Sequence, residues 1–307
     1  MATEKNRAEE KRKLKVDIVQ IIRKIEAITK RIAQTRTLGE YISVFRGAGF
    51  EFEGYKPYTP DIDASKIDWK ASVKSKQMLV KVYREIRELQ VYFVLDLSES
   101  MVFGSQDKLK NECAAEFVLA LAYTILNAGD SVGLITFSDN VKHYKKAAKG
   151  IKQFYNMARI IVDPTIYGGG YNLVAVEEFA LNFITKRHSV VIIVSDFYGA
   201  KGLAWQRKLK LLGSKFDTIC MMVRDPRDTT LPSDVGEVMV EDPYTGERQL
   251  IHSALLKQKY EAIARRQDRE LLNIFKESNV DVMKLGTDQP LYDALVRFFE
   301  LRRRKVR

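Results

Sequence analysis

One aspartate and two serines stand at alternate positions in the stretch Asp96-Leu97-Ser98-Glu99-Ser100, directly after an apolar run. A carboxylate and two hydroxyls on one tight loop can converge on a hard divalent cation such as Mg²⁺ or Mn²⁺. The alternative is that Asp96 caps the helical element that follows and that the serines fill a turn. This stretch alone leaves both interpretations open.

Buried strands must position this loop. The run at 91–95 is Val-Tyr-Phe-Val-Leu, apolar without alternation, which is typical of a strand buried on both faces of a parallel sheet. A second such strand is predicted over Ser189–Val194, and Asp196 follows it. In an open parallel sheet, ligands bind beyond the carboxyl ends of the strands. A second carboxylate at that edge favours the metal interpretation.

The rest of the chain alternates between strand and helix patterns. Further strands are predicted at Ser131–Phe137, Val141–Lys146, Thr218–Val223, Val235–Val240 and Val280–Leu285. Helices are predicted at Lys108–Asn127, Ile151–Ile161, Val174–Thr185, Leu203–Gly213, Ser253–Glu277 and Leu291–Arg302. This order predicts an α/β fold with a doubly wound, mostly parallel sheet flanked by helices.

Residues 1–88 have a different sequence pattern from the rest of the chain. Leucine and isoleucine recur at heptad spacing from Leu14 to Ile32, which predicts an amphipathic helix within residues 1–37. Such a helix is expected either to pack against its own domain or to pair with a helix of another chain. Glycines, prolines and short alternating pieces predict a β-rich arm over 38–88. Residues 89–307 then form the α/β domain.

Composition limits the function. The net charge is +11, but the basic clusters lie in the terminal tails without interleaved aromatic residues, so a nucleic-acid partner is not expected. The two cysteines, Cys113 and Cys220, are far apart in apolar surroundings, as in a reducing compartment. No apolar run is long enough to span a membrane. We therefore expect a cytoplasmic protein.

Catalytic motifs are not evident, so an enzyme is not the first hypothesis. The loop Gly168-Gly169-Gly170 is followed by Tyr171 and Asn172, where a P-loop requires lysine and serine or threonine. The three histidines match no zinc-protease or triad spacing. The alternative hypothesis is a Mg²⁺-dependent hydrolase that uses the same carboxylates to activate water, with Glu99 as general base.

Several stretches together resemble the domain-of-unknown-function fifty-eight family, a prokaryotic family that is similar to von Willebrand factor A domains. They are FRGAGFEF at 45–52, YTPDID at 58–63, IDWK at 67–70, DLSESM at 96–101, EDPYTGE at 241–247 and FFELRRR at 298–304. The resemblance implies a von Willebrand factor A-like sheet with an N-terminal arm, and no enzymatic activity. It also implies association with a MoxR-type AAA+ ATPase or its client protein, in protein maturation.

The same resemblance implies a metal-ion-dependent adhesion site. In it Asp96, Ser98 and Ser100 would be ligands, Asp196 would act directly or through water, and an acidic residue of the partner would complete the coordination. The family's second loop usually reads G-G-T-N-L, with the threonine as a ligand, whereas Tyr171 stands at that position here. A phenol reaches farther than a threonine hydroxyl. Asn172 is then the alternative oxygen donor, and weak metal binding is the other consequence.

Overall fold

The computed structural model describes Arg23 and residues 51–84, 89–233 and 235–305. Apart from Arg23, the helix predicted in residues 1–37 and the beginning of the arm lie outside the described residues. The division into helix, arm and α/β domain therefore remains a prediction. None of the helices in the described ranges is both long enough and apolar enough to cross a lipid bilayer.

Ten strands and seven helices follow one another in the described ranges. The strands are β1 (Glu51–Pro57), β2 (Leu79–Arg84), β3 (Gln90–Asp96), β4 (Ser131–Phe137), β5 (Val141–Ala148), β6 (Val190–Ser195), β7 (Asp217–Arg224), β8 (Glu237–Glu241), β9 (Arg248–His252) and β10 (Asp281–Gly286). The helices are α1 (Trp69–Ser75), α2 (Lys110–Asn127), α3 (Ile151–Ile161), α4 (Leu173–Phe183), α5 (Ala204–Lys215), α6 (Ser253–Glu277) and α7 (Leu291–Lys305).

A six-stranded sheet organises the fold. Its strand order is β10-β7-β6-β3-β4-β5, and every pairing is parallel except that of β5, which is antiparallel to β4. The chain builds the sheet outward from β3 through β4 to β5 and then returns to the other side of β3 with β6. This reversal makes the gap beyond β3 and β6 the topological switch point, where such sheets bind ligands. The predicted doubly wound, mostly parallel sheet is confirmed.

The central strand shows why its sequence is apolar throughout. The side chains of Val91, Phe93 and Leu95 belong to the core on one face of the sheet, together with those of α2. The side chains of Tyr92 and Val94 belong to the core on the other face, with α4 and α5. Each fully buried side chain of this size contributes roughly 1.5–3 kcal/mol. Two covered faces therefore hold β3 firmly, with its carboxyl end at the switch point.

Two small hairpins stand outside the main sheet. The strands β1 and β2 pair antiparallel, and α1 lies between them in the sequence. The strand predicted over Val235–Val240 corresponds to β8. It does not belong to the six-stranded sheet, which the alternation of strands and helices had suggested. It pairs antiparallel with β9, which the sequence analysis did not predict. The residues of β9 are mostly polar and exposed, so they lack the apolar run that marks a buried strand.

Candidate functional site

The loop after β3 brings a carboxylate and two hydroxyls together. Asp96 is fully buried, and its Oδ1 accepts a hydrogen bond from the backbone N–H of Ser98 at 2.8 Å. Its Oδ2 accepts one from the hydroxyl of Ser195, at the end of the neighbouring β6, at 2.6 Å. The hydroxyl oxygens of Ser98 and Ser100 lie 3.2 Å apart. Asp96, Ser98 and Ser100 are therefore all buried in one loop, with the two serine hydroxyls in contact.

Backbone hydrogen bonds fix the triple-glycine loop beside this first loop. The N–H of Gly168 donates to the carbonyl of Leu97 at 2.7 Å, and the N–H of Glu99 donates to the carbonyl of Gly169 at 3.0 Å. Both glycines have positive φ angles, 118° for Gly168 and 89° for Gly169, which other residues adopt at a cost. Glycine is needed here because the chain must turn in this conformation while it contacts the first loop.

Tyr171 and Asn172 occupy different environments. The Oδ1 of Asn172 accepts from the N–H of Ala175 at 3.1 Å, so the contact described for this side chain is the N-cap of α4. The phenol oxygen of Tyr171 lies 3.4 Å from the hydroxyl oxygen of Ser195. A Cβ atom at Gly199 would lie 2.4 Å from the Tyr171 ring, so the absent side chain makes room for it. Tyr171, not Asn172, is therefore the second-loop side chain with a described contact to Ser195, which also bonds Asp96.

The backbone turns sharply after β6 and presents Asp196. Phe197 has a φ of 59°, which is uncommon for a residue other than glycine. Its N–H donates to the Ser195 hydroxyl at 2.9 Å, and its ring packs edge to face on Phe275. Such strain costs of order 1–3 kcal/mol and persists when the surrounding packing enforces it. The result is a fully buried Asp196 at the same edge as Asp96.

A buried lysine neutralises Asp196. Lys110 is the first residue of α2 and is only 2% exposed. Its ammonium lies 2.7 Å from Asp196 Oδ2 and 3.3 Å from Asp228 Oδ2. Neither Lys110 nor Asp228 was predicted from the sequence. One signal was available, because a lysine at a helix N-terminus opposes the helix dipole and needs a specific reason.

Further charged side chains lie next to the Lys110–Asp196 ion pair. The guanidinium of Arg224 donates to the carbonyl of Asp196 at 2.5 Å and pairs with Asp268 at 3.0 Å. Lys284 also pairs with Asp268. The ring of Tyr198 lies 4.5 Å from the guanidinium and 5.4 Å from the Lys110 ammonium. Asp196 is therefore held by fixed positive charges on one side.

Asp96 has a different electrostatic environment. Burial, and next the negative charge of Asp196, raise the pKa of Asp96 to about 7, although hydrogen bonds from Ser195 and Ser98 oppose the rise. Among the described residues, no ion pair involves Asp96, whereas Asp196 has Lys110. A bound cation is the remaining way to keep this carboxylate ionised. With its pKa near 7, Asp96 is partly protonated at neutral pH, and a bound cation would favour its ionised form.

A residue from the separate hairpin also reaches the loop. The hydroxyl of Tyr244, in the turn between β8 and β9, lies 2.9 Å from the hydroxyl oxygen of Ser100. The surrounding EDPYTGE stretch carries part of the family resemblance, but no role for Tyr244 was predicted from the sequence. Because 144 positions separate the two residues, local sequence patterns do not reveal this contact.

The donor chemistry fits a hard cation. Within the described ranges, no group of three or more histidine, cysteine, aspartate or glutamate side chains is arranged to hold a metal. The available donors are the carboxylate of Asp96 and the hydroxyls of Ser98 and Ser100. Mg²⁺ uses one or two carboxylates, accepts oxygen donors and keeps several waters. The all-oxygen set therefore fits Mg²⁺ or Mn²⁺ better than Zn²⁺.

The doubly wound, mostly parallel sheet flanked by helices places this protein in the α/β class. The family described as "Protein of unknown function DUF58" matches residues 54–270, and the chain belongs to this family. The resemblance seen in the sequence is thereby confirmed.

Related proteins occur in mycobacteria. An uncharacterized protein of Mycobacterium tuberculosis (strain H37Rv) is 25% identical over 285 residues, which cover 92% of this chain and 89% of the relative. An uncharacterized protein of Mycobacterium avium is 30% identical over 126 residues, 41% of this chain and 73% of that one.

Similar solved structures include the conserved hypothetical protein BatB of Bacteroides thetaiotaomicron. Its TM-score is 0.43 and its identity 12%, over 71% of this chain and 98% of that chain. The SpRpn10 VWA domain has a TM-score of 0.40 and an identity of 14%, over 69% of this chain and 95% of that chain.

Proposed function

We propose that this protein is a non-enzymatic interaction module that holds Mg²⁺ or Mn²⁺ at the loop after β3 and binds an acidic side chain of a partner there. The observation that carries the proposal is the fully buried carboxylate of Asp96, which forms no ion pair within the described residues and lies at the switch point of the sheet. A divalent cation at this position removes the cost of burying that charge.

Each residue of the loop has a defined part in this proposal. Asp96 binds the ion as a carboxylate, and Ser98 and Ser100 bind it through their hydroxyl oxygens. Asp196 acts through water, because Lys110 already engages its Oδ2 and the N–H of Tyr198 donates to its Oδ1. When bound, the ion supplies a coordination position for a carboxylate oxygen that the partner brings.

The partner in this proposal is a MoxR-type AAA+ ATPase or its client protein. Membership of the family supports this choice, because the resemblance implies such an association. The proposal places the protein in the cytoplasm, and the two buried free cysteines, Cys113 and Cys220, fit a reducing compartment.

Capture of the partner tests the interaction. The full chain, tagged and expressed with a MoxR-type ATPase from the same organism, is expected to retain the ATPase in Mg²⁺ buffer. Chelation of the metal, or Asp96→Asn, is expected to reduce the recovered ATPase at least tenfold, since both remove the ion. Asp217→Asn is the matched control, because Asp217 begins β7 at the opposite edge of the sheet. Equal recovery with Asp96→Asn and with the control would contradict the proposal.

The Mg²⁺-dependent hydrolase remains the alternative. It uses the same carboxylates, with Glu99 as the base, and Glu99 lies in the short 3₁₀ helix Glu99–Met101 directly beside the site. A panel of phosphoester substrates tests it. We expect no turnover above that of Asp96→Asn, and turnover that this variant loses would favour the hydrolase.

A further inference from the structure

The turn between β8 and β9 is a preorganised element aimed at the candidate site. The carboxylate of Asp242 accepts hydrogen bonds from the N–H groups of Tyr244 at 2.8 Å and Thr245 at 3.0 Å. Backbone bonds join Asp242 to Gly246 and to Glu247 across the turn, both at 2.9 Å. The backbone that carries Tyr244 is therefore fixed within the turn itself.

Tyr244 contacts the hydroxyls that the proposed ion requires. Its phenol oxygen lies 2.9 Å from the Ser100 hydroxyl oxygen, which in turn lies 3.2 Å from the Ser98 hydroxyl oxygen. Ser100 is only 4% exposed, whereas Tyr244 is 37% exposed. The phenol thus covers the two serine hydroxyls from the solvent side, the side from which a partner's carboxylate would approach.

The hairpin that carries Tyr244 is lightly attached. Its two strands pair with each other and, among the described residues, with no other strand. At its base, the N–H of Ser253 donates to the carbonyl of Gly236 at 2.9 Å, and the Ser253 hydroxyl donates to the carbonyl of Pro232. Met239 and Leu250, paired across the hairpin, are 60% and 56% exposed. An isolated two-stranded hairpin is marginally stable, so a small gain elsewhere can move it.

We propose that Tyr244 is an internal occupant of the candidate site, and that its hydroxyl must leave the serine pair before an ion and a partner carboxylate bind. This inference rests on the proposed function. The phenol oxygen and a coordinating oxygen from the partner would approach the same two hydroxyls, so they exclude each other. The turn therefore acts as a cap that sets how tightly the site binds.

Removal of one oxygen atom tests the cap. Tyr244→Phe keeps the ring and deletes the hydroxyl, so the mutant no longer has to break this hydrogen bond when it binds an ion. Since one hydrogen bond is involved, calorimetric titration with Mn²⁺ alone should show an affinity about threefold to tenfold higher for Tyr244→Phe than for the wild type. Tyr260→Phe is the matched control, because it also loses a phenol hydroxyl, which donates to the backbone carbonyls of Arg227 at 2.9 Å and Asp228 at 3.5 Å and to neither serine.

The outcomes separate the inference from the proposed function. If the wild type and Tyr260→Phe bind Mn²⁺ equally and Tyr244→Phe binds it more tightly, the cap is supported. If the wild type binds Mn²⁺ and Tyr244→Phe binds it no more tightly, the cap is wrong while the metal site stands. If none of the three proteins binds Mn²⁺, the proposed metal site is wrong and the cap is rejected with it. Thermal unfolding of each variant verifies that all three are folded.

Discussion

Replacing Lys110 with methionine is expected to lower the free energy of unfolding by about 3–5 kcal/mol, because it leaves two buried carboxylates without their cation. Asp196 is fully buried, and Asp228 is largely buried. Burial raises the pKa of Asp228, although the Lys110 charge opposes the rise, so protonation of Asp228 limits the loss. Urea denaturation at neutral pH measures the difference.

A nearby lysine provides the control for this substitution. Lys108 pairs with Glu116 at 2.5 Å, but its side chain is 38% exposed. Lys108→Met is therefore expected to cost at most about 1 kcal/mol. Mg²⁺ should restore part of the stability of Lys110→Met, because a divalent ion supplies positive charge at the same edge. A loss below about 1 kcal/mol for Lys110→Met would show that this buried pair is not needed.

Replacing Glu177 with glutamine is expected to stabilise the protein at alkaline pH. Glu177 lies in α4, is 1% exposed, and neither of its carboxylate oxygens has a hydrogen-bond partner in the described part of the chain. Burial raises its pKa from 4.5 to about 9, with a smaller opposing effect from Lys208. A glutamine keeps the shape of the protonated acid and carries no proton to lose.

The sign of the pH dependence follows from this shift. Below pH 4.5 the carboxyl is protonated in both states and costs the folded state nothing electrostatically. Between pH 4.5 and about 9, the unfolded chain releases the proton while the folded protein retains it, so the unfolding free energy falls as pH rises. The fall approaches about 1.4 kcal/mol per pH unit and is complete above pH 9.

Urea denaturation at pH 5 and pH 8 tests this dependence. Relative to the wild type, Glu177→Gln is expected to gain about 4 kcal/mol of unfolding free energy between pH 5 and pH 8. Glu178→Gln is the adjacent control, because Glu178 is 58% exposed and its pair with Lys208 is worth at most about 1 kcal/mol. Parallel pH profiles for the wild type and Glu177→Gln would show that Glu177 is not buried as a neutral acid.

The sheet could be predicted from the sequence because its strands are buried on both faces. Continuous apolar runs mark β3, β4, β6 and β7, and helices with a clear apolar face separate most of them. The exposed hairpin could not be predicted in the same way. The β9 residues, Arg-Gln-Leu-Ile-His, pair with β8 across a turn. Most residues of both strands are exposed, so burial contributes little to the stability of the hairpin.

The candidate site was predictable only where it follows the strands. Asp96 ends β3 and Asp196 directly follows β6, so the topology alone places them at one edge. Lys110, Asp228 and Tyr244 come from elements distant in the sequence, and their side chains reach the edge only through tertiary packing. The unfavourable position of Lys110 at a helix N-terminus was the one indication for that residue. A turn tyrosine is ordinarily exposed, so the residue type of Tyr244 gave no indication of its contact.

Calorimetric titration with Mg²⁺ and Mn²⁺ tests the central claim most directly when the wild type is compared with Asp96→Asn. The asparagine can still accept from the Ser98 N–H and can donate to the Ser195 hydroxyl, so this variant is expected to fold. We predict that the wild type binds one divalent ion and that Asp96→Asn, although folded, binds none. No binding by the wild type, or equal binding by the variant, would contradict a metal site at this loop.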